Sequence, residues 1–184
     1  MNTQHLKNVL FFILLVSLAI VGRLTPHLPN FTPVAATALF AGFIFQSRVV
    51  ALLVPFVAMA ISDKVIGAYD YRVMAAVYAS FMFPVVFGNP LKRHCSAFRV
   101  LGSSAVGSAV FFFVTNWAVW YFGQAYSRDW NGLATCYVVA LPFLKYTLGG
   151  NLFWSMIVFG TYYLAVSGWA QLARTRVVQA CNYA

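Results

Sequence analysis

Three prolines, Pro26, Pro29 and Pro33, fall within eight positions of one another, between two uninterrupted apolar runs. Proline lacks an N–H and disfavours helical geometry in the residue before it, so the first run cannot continue as a helix into the second. The chain is extended here. This polar piece carries Arg23, His27, Asn30 and Thr32, while the runs on either side have the composition of membrane helices. It reads as a shaped cap over a transmembrane bundle, held by the ends of two helices.

Composition agrees. Of 184 residues, 62% are apolar and 8% charged, where soluble domains carry about a quarter charged residues. Mean hydropathy is +0.79. At about 20 residues per spanning helix, the length accommodates roughly six spans with short loops and no soluble domain. The sequence thus predicts an all-α integral membrane protein, a single membrane domain over 1–184. The net charge of +9 comes from basic residues scattered among the loops, with no basic helix or tract, so no nucleic-acid partner is implied. Cys95, Cys136 and Cys181 have no CxxC spacing and an odd count, which supports neither a disulfide framework nor a zinc site.

In chain order, the expected spans are about 8–24, 34–45, 49–62, 73–87, 100–122 and 152–172. The first is read as a retained helix rather than a signal peptide. The second, opened by Pro33 at its first turn, is too short to cross about 30 Å of hydrocarbon unless it starts deep, which draws the cap down into the membrane. The fifth begins LGSSAVGSA, whose Gly102 and Gly107 permit close helix contact and make it the expected central helix. Residues 133–148, with Pro142 and Lys145, read as an interfacial or re-entrant helix, broken by Gly149-Gly150 before the last span. Arg174 and Arg176 close the chain in a polar tail.

With the N-terminus cytoplasmic, seven basic residues (Lys7, Arg48, Lys92, Arg93, Arg99, Arg174, Arg176) fall on the inner side against five outside. That bias places both termini in the cytoplasm. All three acids, Asp63, Asp70 and Asp129, then gather on the outer face with the proline cap. Each acid beside a base has a bland reading as a solvated pair, but loops one, three and five converge on one side of a six-span bundle. The candidate ligand-binding residues are Arg23, His27, Asn30, Asp63, Tyr69, Asp70, Asn116, Trp120, Trp130 and Asn151. Aromatics such as Trp120 and Trp130 also suit an interfacial belt, and His27 suits a loop histidine bonded to backbone.

RLTPHLPNFTPVAATALFAG near the start, the segment SDKVIGAYDYR, and GLATCYVVALPFLKYTLGGNLFWSMIVFG near the end together resemble a family of small bacterial membrane proteins. That family is similar to the S components, the substrate-binding subunits, of energy-coupling factor vitamin transporters. The resemblance implies a six-helix bundle in the bacterial cytoplasmic membrane, surrounded by lipid, that captures a small vitamin-like molecule from outside beneath loops one, three and five. It also implies partners: a membrane-embedded coupling subunit and two ATPases. S components often dock their coupling subunit through an Ala-x-x-x-Ala pair on the first helix. The first span here has none, and Ala38 and Gly42 on the second supply small-xxx-small spacing instead. Asn151 stands where the resemblance leads one to expect an acid.

Two classes of function follow. One is a ligand-binding subunit of an uptake transporter; the other is an accessory subunit that reuses the same bundle to pack against a larger membrane complex. An enzyme is not expected, since HExxH, GxSxG and paired histidines are all missing. No cofactor is implied, because His5, His27 and His94 all lie in tails or loops.

Overall fold

The computed structural model describes residues 3–67 and 69–182, with side chains through residue 168, and the described residues are all-helical. The elements are α1 (Thr3–Leu24), α2 (Val34–Ile44), α3 (Arg48–Ile66), α4 (Tyr71–Met82), a 3-10 turn (Phe83–Phe87), α5 (Gly88–Arg93), α6 (Ala97–Phe122) and α7 (Trp130–Asn182). Thr3–Leu24, Arg48–Ile66, Tyr71–Arg93, Ala97–Phe122 and Trp130–Gly168 are each long and apolar enough to cross a membrane. The 11-residue α2 is not. It is about 16 Å long.

That short helix is the centre of the molecule. Val34 through Gly42 are buried without exception, and α2 touches α1, α3, α5, α7 and the 3-10 turn. The sequence pointed to α6 as the central helix, and the structure corrects this. α6 packs on one side against α7 and on another against α4, and a Cβ added at Gly102 would meet nothing. α2 earns no such reading from span length, yet its Ala35, Ala36, Ala38, Ala41 and Gly42 let other backbones close in around it. A Cβ at Gly42 would stand 2.4 Å from the Val85 carbonyl oxygen, and one at Gly88 would stand 2.0 Å from the Gly42 carbonyl. Lower on α2, the Phe40 ring meets Phe159 edge-on at 5.0 Å and Tyr162 at 5.3 Å.

Residues 24–30 of the proline cap are exposed, and the cap enters the bundle only at residues 31–33. Asn30, with φ at 60°, takes the left-handed turn that asparagine tolerates, and the Phe31 N–H closes it on the Leu28 carbonyl at 3.0 Å. Pro33 then lies against Gly22 of α1, where a Cβ would come within 2.5 Å of its ring. Phe31 lies over Gly150 of α7 and packs on Phe153. Next to Gly150, Asn151 Nδ2 donates to Ser108 Oγ at 2.8 Å, near the middle of α6. The cap therefore reaches the middle of the bundle.

Three element boundaries differ from expectation. Helix continues from α4 through Pro84 to Arg93, so the basic loop expected over 88–99 shrinks to residues 94–96. The Gly149-Gly150 break is absent: α7 runs unbroken through both glycines and through Pro142. A glycine pair costs about 1 kcal/mol each in a helix but ends one only where the chain needs another conformation. Here Gly150 is held helical by the cap packed on it. The separate interfacial helix over 133–148 is therefore the first half of α7. Thirdly, helical backbone extends past 172, and the polar-tail side chains of Arg174 and Arg176, like Cys181, lie outside the described ones.

α7 does not run straight along α6. Tyr137 Oη donates to the Phe113 carbonyl at 2.8 Å, and Asn151 meets Ser108. Between these contacts α7 advances fourteen residues while α6 runs back five. Pro142, which frees a carbonyl and bends a helix, lies in that interval. Below it, Ser104 Oγ donates to Ser155 Oγ at 2.7 Å, so the buried pairs Ser108–Asn151 and Ser104–Ser155 tie the two helices together.

Candidate functional site

Arg23 ends α1, where a cation is favoured by the carbonyls of the last turn. Asp63 lies on α3 one turn before its end, and the two helices are in contact. The Arg23 guanidinium meets the Asp63 carboxylate at 2.5 Å, with the side chains 15% and 6% exposed. The same Nη1 donates to Ser62 Oγ at 2.5 Å, and the Ser62 hydroxyl in turn bonds to the Ala58 carbonyl at 2.7 Å. Charge is thus buried in a chain that has little of it. Although Nη1 is close to Oδ1, it lies off the line of a hydrogen bond, and neither carboxylate oxygen receives an aligned donor among the described residues. A carboxylate has about four lone-pair directions. Asp63 therefore keeps acceptor capacity in a buried place.

Two phenols flank it. Tyr69, in the link between α3 and α4, has its hydroxyl pushed above the usual tyrosine range, first by burial and then by the Asp63 charge. Tyr78, two turns into α4, has its hydroxyl within hydrogen-bonding reach of the same carboxylate, though not aligned on either oxygen, and lies near Arg23. Sequence reasoning missed Ser62 and Tyr78. Ser62 adjoins the aspartate, and Tyr78 follows Tyr71 by seven residues on a helix, so helical spacing was the available signal.

The other candidates are placed as follows. Asp70 caps α4, accepting from the Arg72 N–H at 2.8 Å and pairing with its guanidinium at 2.7 Å, exposed to solvent. The Arg72 guanidinium also lies 5.1 Å from the centre of the Phe122 ring at the end of α6. Loops one, three and five are thereby joined at one end of the bundle, through Arg23–Asp63 on one side and Arg72–Phe122 on the other. His27 sits in the cap, its ring nitrogens 2.7 Å and 3.2 Å from the Leu28 and Arg23 carbonyl oxygens. Asn30 makes the left-handed turn. Asn116 Nδ2 donates to the Phe112 carbonyl of its own helix at 2.7 Å, and Trp120 Nε1 donates to the Ser127 carbonyl at 2.9 Å. Trp130 is 84% exposed, and Asn151 is spent on Ser108. Asp129 caps α7, accepting from the Gly132 N–H and the Ser127 hydroxyl, which hold its carboxyl below the usual range.

The structure therefore brings together Arg23, Asp63 and Tyr69 and adds Ser62 and Tyr78; Asn116 and Trp120 are taken up by local bonds, Asn151 by Ser108 across the α6–α7 contact, and Trp130 is exposed. Of the small residues assigned to helix packing, Ala38 and Gly42 are buried in α2, Gly107 faces Pro84, and Gly102 faces open space. Among the described residues no three of histidine, cysteine, aspartate and glutamate group as metal ligands.

Asp70 gives a pH signature. Its hydrogen bonds with Arg72 lower its pKa to about 2, from an ordinary 3.8. A depressed folded-state value contributes stability that is complete above the ordinary value and is lost as pH falls through the folded one. The difference in thermal midpoint between wild type and Asp70→Ala is expected to stay level above about pH 5 and to narrow between pH 4 and 2. A difference unchanged down to pH 2 would show that the charged cap contributes nothing.

Five membrane-length apolar helices packed around a buried sixth define a multi-pass helical membrane protein. The chain belongs to a family of unknown function, DUF6580, whose sequence model matches residues 3–173. No curated protein and no solved structure matches it.

Proposed function

We propose that this protein is the substrate-capturing membrane subunit of an uptake transporter, with six passes, both termini cytoplasmic, and a small polar ligand held at the end formed by loops one, three and five. One observation carries the reading: a nearly buried carboxylate, Asp63, is paired with Arg23 yet has acceptor capacity to spare, and two tyrosine hydroxyls stand beside it. Such a group binds N–H or O–H donors strongly, because few competing partners exist at low dielectric. The resemblance to S components supports the same end of the bundle and supplies the expected partners, a coupling subunit and ATPases. Arg23 and Asp63 fix the polar edge of the ligand and Tyr69 stacks against it; closing of the proline cap excludes water.

The test is mild extraction from the native membrane, followed by mass spectrometry of co-purifying proteins and small molecules. Wild type is expected to retain one stoichiometric small molecule, and Tyr69→Ala, an exposed position, to lose it while keeping its thermal midpoint. A wild-type protein that carries no small molecule and is recovered inside an unrelated membrane assembly would overturn the proposal in favour of an accessory subunit.

A further inference from the structure

The opposite end of the bundle carries an unexplained charge. Arg48, Lys92, Arg93 and Arg99 lie there, whereas all three carboxylates of the chain, Asp63, Asp70 and Asp129, lie at the ligand end. No aspartate or glutamate side chain is there to neutralise them. Lys92 is used internally, its ammonium bonding to the Phe45 carbonyl beyond the end of α2. Arg93 and Arg99 are different. Together with His94, Asn89 and Pro90 they line a cavity of about 370 Å³ beside the short link between α5 and α6. The Arg93 guanidinium has no ion-pair or hydrogen-bond partner among the described residues, and Arg99 spends one nitrogen on the His94 carbonyl at 3.3 Å. Most of ten guanidinium N–H donors therefore point to no protein acceptor.

The depth of this cavity is marked by Phe98. It is 86% exposed in the first turn of α6, immediately before Arg99. An apolar ring so placed on a membrane helix lowers its free energy against lipid, not water. The cavity thus lies at the level of the headgroups. Its donor set suits a phosphate: guanidinium forks match phosphate oxygens two at a time.

We propose that Arg93, His94 and Arg99 form a site for a phosphate group, taken from the headgroup of an anionic phospholipid. The site is independent of the ligand-binding reading. A phospholipid brings its phosphate at high local concentration and at the right depth, and a basic pocket between helices at a membrane face is a recurrent way of holding one. Bound there, it would clamp α5 to α6 at the turn where the chain has no salt bridge of its own.

The experiment compares wild type, Arg93→Gln/Arg99→Gln, and a control, Lys7→Gln/Arg48→Gln, which removes the same charge outside the cavity. Each is placed in nanodiscs of phosphatidylcholine with increasing phosphatidylglycerol, and retained lipid is read by native mass spectrometry after release. The wild type and the control are expected to retain one phosphatidylglycerol; the cavity variant is expected to bind it about thirtyfold more weakly, about fivefold for each lost cation. Inorganic phosphate added to phosphatidylcholine discs is expected to raise the thermal midpoint little, and a rise as large as that from phosphatidylglycerol would reassign the site to free phosphate. Equal weakening in the control and the cavity variant would overturn the proposal, leaving these cations with a general attraction to an anionic surface.

Discussion

Arg23→Ala is expected to destabilise the protein by about 3–5 kcal/mol, the cost of leaving a buried charge without its partner. Asp63 is 6% exposed and pairs with no cation but Arg23 among the described residues, so no other charge replaces the guanidinium. Removing Arg23 also takes the donor from Ser62. For a chain of this size the thermal midpoint in nanodiscs should fall by about 10 °C. Arg23→Ala/Asp63→Leu should recover most of that loss, because replacing both ions by apolar groups removes the unpaired charge. The double variant separates two roles that one residue can combine. If stability returns but ligand retention does not, the pair serves binding as well as folding. If Arg23→Ala leaves the midpoint within about 2 °C of wild type, the pair contributes no more than an exposed one does.

This pair was legible in the sequence only as two candidates on different loops. The prolines at 26, 29 and 33 fixed where α1 ends, and so placed Arg23 at a helix terminus. The apolar run over 34–45, about 12 residues, required a helix that starts deep. Both inferences rest on local chemistry, missing N–H groups and rise per residue; the structure ends α1 at Leu24 and makes α2 short and buried. What local chemistry does not carry is which side chains meet. Asn116 and Asn151 looked like pocket residues because polar groups at membrane depth need partners, and Trp120 as a ring on which a ligand could stack. Each is bonded elsewhere: Asn116 on its own helix, Trp120 on a loop carbonyl, and Asn151 on Ser108 across the α6–α7 contact. The Gly149-Gly150 pair looked like a break because glycine is a poor helix former. The cap resting on Gly150 makes the lack of a side chain a packing requirement instead.

The same distinction sets the second large effect, at Gly88. Its φ of −57° and ψ of −44° are helical, so alanine adopts that backbone without strain and any cost comes from contact alone. A Cβ there would lie 2.0 Å from the Gly42 carbonyl carbon and oxygen, which are backbone atoms at the C-terminal end of the central helix. They cannot turn aside as a side chain does. Gly88→Ala must therefore push residues 83–88 away from α2, opening the contact between Gly42 and Val85 as well. The expected loss is about 3 kcal/mol or more, at the upper end of overpacking costs, read as a lower thermal midpoint and faster hydrogen exchange in α2. Gly102→Ala is the matched control. It adds the same methyl group to a membrane helix where nothing lies within 4 Å, and is expected to leave stability unchanged or raise it by up to about 1 kcal/mol. Equal effects at the two positions would mean that α2 and the 3-10 turn do not meet backbone to backbone. The cap that depends on the depth of α2 would then lose its support, and with it the closure proposed for the ligand end.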